Sequence, residues 1–302
     1  MKLIKPTVLT DAMLVSSTAP ETDYTAWNAA TAYVVGNKCI LVSTHRIYEC
    51  LVNNTNFSPD VNLTGLTPKW LDIAPTNRWA MFDNVVGTAT SIASPLTTVL
   101  TPGLVSGVYL GELVGASAVV SMKSAVAGDT VYSETISLDG TIITSFYDWF
   151  FQPYIQLTDF VLTDLPFHYA APELTITITS TSGNVECGVC KFGESITIGG
   201  TEYGATAGIV DYSVKTQDAF GNYTIVERSF SKRATFKVST DLTDFNRIFR
   251  TLSSLRATPV IWIGTEVAHY EPLLVYGFFR DFSIDVAYPT MNYCSLDIEG
   301  LI

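Results

Sequence analysis

The 302-residue chain has room for two or three domains and a sizeable buried core. Its 29 acidic against 17 basic side chains, a net charge of −12, exclude a nucleic-acid binder built on clustered Lys and Arg. Hydrophobic residues reach 47% and charged ones only 15%, so excess apolar surface is expected to be covered by other subunits.

Residues 1–23 read as an extended N-terminal arm with one strand around Thr7 to Val15. Pro6, Thr7, Thr10 and Asp11 interrupt its apolar residues, so it is not a secretory signal. Residues 24–75 form a compact module that sets Trp27, Tyr33, Gly36, Tyr48, Pro59 and Trp70 on very short strands. A segment this small cannot bury much aliphatic surface, so large rings must form its core. Cys39 and Cys50 lie on neighbouring short strands there, as core fillers or a disulfide pair.

Residues 76–198 are almost entirely strand-like. Val108 to Leu113 and Ala118 to Met122 are short β-rich runs, and Val131 to Leu138 alternates. Glu173 to Thr179 places Leu174, Ile176 and Ile178 on one face. The aromatic cluster Phe146 to Tyr154 reads as a strand with rings on both faces, one for the core and one for a domain contact or a ligand. Cys187-Gly-Val-Cys190 has no second pair for a metal site, with Cys294 the only other thiol in the C-terminal half. Two residues three apart on a strand point to opposite faces unless Gly188 introduces a bulge.

Residues 199–302 begin with a β-hairpin, Ile209 to Lys215 against Tyr223 to Val226, turning at Asp218 to Asn222. Ser231 to Ser239 alternates. One helix is expected over Asp241 to Arg256, capped by Thr240 or Asp241, with Leu242, Phe245, Ile248, Phe249, Leu252 and Leu255 on its apolar face. Strands follow at Thr258 to Ile263, Leu273 to Tyr276, Arg280 to Ala287 and around Cys294 to Ile298, the last tying the C-terminus into a sheet. The fold class is therefore mainly β and multidomain: a small module, a β-sandwich or jelly roll, and a C-terminal β-sandwich with one packed helix.

Within the module, the order Trp27, Tyr33-x-x-Gly36, an apolar pair, Tyr48 and Trp70 resembles the small chitin-binding modules of carbohydrate-binding families 5 and 12. That resemblance implies that one or two of Trp27, Tyr33, Tyr48 and Trp70 stack on a glycan, with Asn53, Asn54 and Asn56 holding hydroxyls. Such modules occur in chitinases and near the ends of bacteriophage tail proteins, and nothing downstream looks like a chitinase. The middle region resembles the galactose-binding-like jelly roll in layout.

The phrase PTNRWAMFD at Pro75–Asp83 resembles a stretch that follows such modules in phage tail proteins. Further on, Tyr203-Gly204-Ala205, Gly208-Ile209, Asp211-Tyr212-Ser213, Asp218-Ala219-Phe220-Gly221-Asn222 and Arg228-Ser229-Phe230-Ser231-Lys232-Arg233 appear in the order of an uncharacterised family of phage tail proteins. The order of elements in residues 199–302 also resembles tail-tube and distal-tail proteins. These resemblances imply a structural protein of a tail tip or baseplate, assembled in the host cytoplasm. Its partners would be other tail proteins, further copies of itself in a trimer or hexamer, and a host surface glycan.

No catalytic residue, cofactor or metal ligand is expected. His45, His168 and His269 sit in no metal or nucleophile–base pattern. The pairs Asp159/Asp164 and Asp281/Asp285 keep a glycan depolymerase as a second alternative, behind a glycan-binding adhesin. No apolar run extends to the about 18 residues of a membrane-spanning helix.

Overall fold

The computed structural model describes every residue except 219, 268–269, 287 and 302. His269 and Ala287 therefore lie outside the described residues. The protein is mainly β, built from several antiparallel sheets.

The largest sheet has eleven strands. From one margin it runs Phe160–Leu162, Gly107–Val114, Asn184–Thr197, Lys2–Pro6, Val260–Ile263, Leu274–Asp285, Met291–Gly300 and Phe230–Asp241. At the far margin Gly200–Thr201 and Thr206–Asp211 both pair with Phe230–Asp241. Thr90–Ala93 adds to the Asn184 end of the long strand. The expected N-terminal arm is thus an interior strand: Lys2–Pro6 is hydrogen-bonded to Asn184–Thr197 on one side and to Val260–Ile263 on the other. A second strand, Leu14–Ser17, falls only partly within the expected Thr7 to Val15 span and edges the other main sheet. The boundary expected at 198/199 falls at the end of Asn184–Thr197, and the sheet continues past it through Lys2–Pro6.

Alternation divides the large sheet into two faces. On one face, Val108, Leu110, Cys190 and Phe192 pack against a five-stranded sheet, whose Leu174, Ile176 and Ile178 are buried as their spacing predicts. Further along that face, Leu3, Val238, Trp262 and Leu296 pack with α2 (Phe245–Ser254). The opposite face carries Ile4, Tyr109, Val189, Ile261, Ile263, Leu274 and Tyr276. Lys232 at one margin reaches Asp159 beside the other at 3.0 Å, which ties the two margins together.

The face changes within the long strand. Cys190 and Phe192 join the same core as Val185 and Cys187, although their spacing is odd, because the pairing lapses where Gly188 stands opposite Glu112. Glu112 has φ 52°, and a Cβ on Gly188 would collide with the Glu112 side chain. Both cysteines are consequently buried side by side in apolar surroundings. Burial pushes the Cys190 thiol up to about 12 and the Cys187 thiol well above its ordinary value.

Two expected elements change. Phe146–Phe151 is not a strand but a short helix, α1. Ser145 Oγ accepts the Asp148 backbone N–H, while Asp148 Oδ2 accepts both the backbone N–H and the hydroxyl of Thr144. These local bonds satisfy the first turn and outweigh the β preference of the rings. In α2 the buried stripe narrows to Ile248, Leu252 and, just beyond it, Leu255, whereas Phe249 and Leu242 are about half exposed. Neither Thr240 nor Asp241 caps it by side chain; Asp244 instead accepts from Arg247 Nε at 3.0 Å.

Candidate functional site

The module is built as a ring core on two small sheets, Ala32–Tyr33 with Asn54–Thr55, and Lys38–Leu41, Arg46–Cys50 and Trp70–Pro75. Tyr33, Tyr48 and Trp70 are 6%, 2% and 1% exposed, and Trp27 packs against them half-buried. Tyr33 meets Trp70 edge-on with centroids 5.0 Å apart. Trp70 Nε1 donates to the Phe57 carbonyl, and the Tyr33 hydroxyl accepts from Asn28 N. Of the four rings expected at a glycan, Tyr33, Tyr48 and Trp70 have no free face on which a sugar could stack, and Trp27 alone keeps exposed surface. A core too small for aliphatic packing consumes the rings that the resemblance offered to a ligand. Asn54 is also buried, donating to the Val52 carbonyl. Cys39 and Cys50 are free thiols in the same core.

The module meets the body through a joint that sequence reasoning missed. His45 turns the hairpin between Lys38–Leu41 and Arg46–Cys50 with φ 54° and stacks on Trp79 at 4.0 Å. Its Nδ1 lies 2.8 Å from Glu21 Oε1, and its Nε2 lies 3.3 Å from Asp11 Oδ1. Thr76 donates its hydroxyl to the same Glu21 oxygen and its N–H to the His45 carbonyl. Arg78 Nε donates to the Ala19 carbonyl, and Asn77 bonds Ser91 through both ends of its amide.

The joint ends on Lys191. Its ammonium donates to the carbonyls of Phe82 and Asp83 at 2.7 Å each and to Asn84 Oδ1 at 3.0 Å, 5.6 Å from the centroid of the Tyr276 ring. The Tyr276 hydroxyl donates to the same Asn84 oxygen. Burial lowers Lys191 to about 8, against the raising effect of Cys190 and Asp83, and it raises the Asp83 carboxyl. Beside this joint a cleft of about 410 Å³ is lined by Asp11, His45, Trp79, Asp83 and Lys191 among others. Trp79 Nε1 and Asp83 Oδ2 have no hydrogen-bond partner among the described residues. The motif Pro75–Asp83 is therefore a fastening strap.

The other motif-bearing stretch is the opposite in character. Thr206–Asp211 pairs with Phe230–Asp241 and the two continue outward as Val214–Gln217 and Tyr223–Val226, forming one long ribbon. Asp218 Oδ1 accepts from the backbone N–H of Phe220 and Asn222 at its tip. All eight residues of the outer pair of strands are exposed. Phe220 is 91% and Ile225 70% exposed. The ribbon is anchored at its root, where Tyr212 donates to Glu299 Oε1 and Lys232 meets Asp159.

No family model and no curated protein matches this sequence. Asp159 accepts the Tyr109 hydroxyl at 2.7 Å besides pairing with Lys232, and Asp164 accepts from Tyr132, so both carboxylates hold structure. Asp281 and Asp285 are exposed on one strand. Among the described residues no three His, Cys, Asp or Glu side chains gather in a metal-binding group.

Proposed function

We propose that this chain is a structural protein of a bacteriophage tail tip or baseplate, which joins copies of itself in a ring through residues 199–302. The observation that carries the reading is the ribbon. A two-stranded ribbon alone is at best marginally stable in water, and this one holds Phe220, Tyr223, Ile225 and Val226 in solvent. The outer edge of Thr206–Asp211 has no strand partner among the described residues, which leaves backbone groups ready to pair with a neighbour. Most of the motifs quoted above for a resemblance to tail proteins fall on this ribbon and on the strap.

The module then acts as a docking fold held by His45 and Trp79. Adhesion through its rings finds no support in their burial. The role requires no catalysis. The test is the mass of the full chain in solution over a concentration series. A trimer, a hexamer or reversible growth is expected, and a monodisperse monomer at high concentration would overturn the reading.

A further inference from the structure

The loop 140–155 ends in the most exposed aromatic group of the molecule. Phe146, Tyr147, Trp149, Phe150 and Phe151 of α1 are 89%, 71%, 69%, 72% and 68% exposed. Tyr154, Ile142, Ile143 and Ile155 add to the same loop at 45–59%. The loop is not a loose tail. At its base Gly140 N donates to the Ile155 carbonyl, Leu157 N to the Leu138 carbonyl, and the Tyr154 hydroxyl to Leu138 O.

At 100° per residue the five rings of α1 spread over an arc of about 200°, twice the apolar stripe that a helix needs to dock on a flat face. A flat protein surface would cover only part of that arc. A fluid interface surrounds all of it. Asp148, the only charged side chain in the loop, stands about 160° from the middle of the arc on the same geometry. Its carboxylate is turned back onto Thr144. Trp and Tyr beside Phe and Ile is also the mixture that settles at the boundary between headgroups and acyl chains. Between Lys123 and Lys191 the chain has eight carboxylates and no Lys or Arg, and Lys232, which lines a cleft with Ile142 and Ile155 at the loop's base, is paired with Asp159, so little there attracts an anionic surface.

We infer that the α1 loop is a membrane-surface anchor that inserts its rings into the interface of an electrically neutral phospholipid bilayer. Phe146, Trp149 and Phe150 enter the interface, Tyr147 and Tyr154 sit at headgroup level, and the remaining body stays in water. The ring-bearing helix of the anchor lies apart in sequence from the ribbon tip, while Ile142 and Ile155 at the loop's base line a cleft with Ile209 and Phe230 at the ribbon root.

The probe is a phosphatidylcholine vesicle in a flotation assay with the full chain. The protein is expected to float with the vesicles, and the Trp149→Ser/Phe150→Ser double variant to lose about ten-fold or more of its partition. Both side chains are exposed, so the variant should keep the parent melting profile, and circular dichroism checks this. Adding phosphatidylglycerol should weaken binding, and raising salt should leave binding to neutral vesicles unchanged. A chain that stays with the aqueous fraction overturns the inference, as does a double variant that floats like the parent. Stronger binding to anionic vesicles would reject the neutral surface. A double variant that lowers the solution mass, with a parent that does not float, would assign the rings to a second copy instead. Ribbon variants should float normally, so failure here is separable from failure of the assembly reading.

Discussion

The strap at Pro75–Asn84 and the ribbon at Thr206–Phe230 both stand out in the sequence by recognisable motifs, yet they solve opposite problems. In the strap most polar groups meet a partner inside the same molecule: Thr76 at Glu21, Asn77 at Ser91, and the Phe82 and Asp83 carbonyls at Lys191. In the ribbon Phe220, Ile225 and Val226 are exposed, and the Tyr223 ring lies under Lys215 of the ribbon itself, 3.8 Å from its ammonium. The strap's contacts are closed within the chain, and on the proposed function the ribbon's are made with another copy. Burial separates the two, whereas the residues alone do not.

Three variants test this contrast. The largest effect is expected at Lys191. Lys191→Met leaves the carbonyls of Phe82 and Asp83 without their buried donor and should cost about 3 kcal/mol, read by urea unfolding at neutral pH. The same residue sets a pH dependence. Its proton leaves the folded chain at about pH 8 but the unfolded chain only near the ordinary lysine value of about 10.5. Between those limits the Lys191 side chain holds its proton more fully in the unfolded state, so its own contribution to stability should rise with pH across that window and level off above it, against the buried thiols Cys187 and Cys190, whose raised values lower stability above about pH 9. Asp83, Cys190 and Tyr276 face the same ammonium. In the Met variant the rise from this residue should vanish, and an unchanged slope would place its origin elsewhere.

A smaller loss is expected from His45→Ala, which removes the stack on Trp79 and the contact with Glu21. About 1–2 kcal/mol should be lost, and limited proteolysis should cut more readily around residues 76–79 while the sandwich core resists. The smallest effect on stability belongs to the ribbon. Replacing Phe220, Tyr223 and Ile225 together by Ser should change unfolding by less than about 0.5 kcal/mol per site, because all three are exposed. The solution mass should nevertheless fall to that of the monomer. A large loss of stability with an unchanged mass would mean that the ribbon serves the monomer.

Much of the fold is legible in the sequence because strands with one buried face declare it locally. Leu174, Ile176 and Ile178 alternate with Thr, and Ala234, Phe236 and Val238 alternate with Arg233, Thr235, Lys237 and Ser239. The hairpin turn at Asp218 to Asn222 is legible for the same reason, since its chemistry is contained in a few consecutive residues. The interior place of Lys2–Pro6 is not, because Lys2 pairs with Thr197 and Ile263, and no local period encodes such partners. The α1 helix hides behind a run of β-favouring rings, although Ser145 and Asp148 at capping spacing were a signal that could have been used. The candidate site was legible in part. The rings of the module were recognisable as a group, but the number of rings that its small core would consume was not. His45 reads as an ordinary loop histidine because Asp11 and Glu21, which face it, lie 34 and 24 positions away.

The position of Lys2–Pro6 has a consequence for how the protein is made. This strand cannot be flanked on both sides until Val260–Ile263 has left the ribosome, because one neighbour ends at Thr197 and the other begins at Val260. A nascent chain held at residue 240 can complete the module and much of the sandwich, but it carries Lys2–Pro6 with one edge bare. Contacts across such distances in sequence form slowly. For most of translation the strand that will link the two halves is therefore an unpaired edge, in the interval when a misplaced partner is most easily acquired.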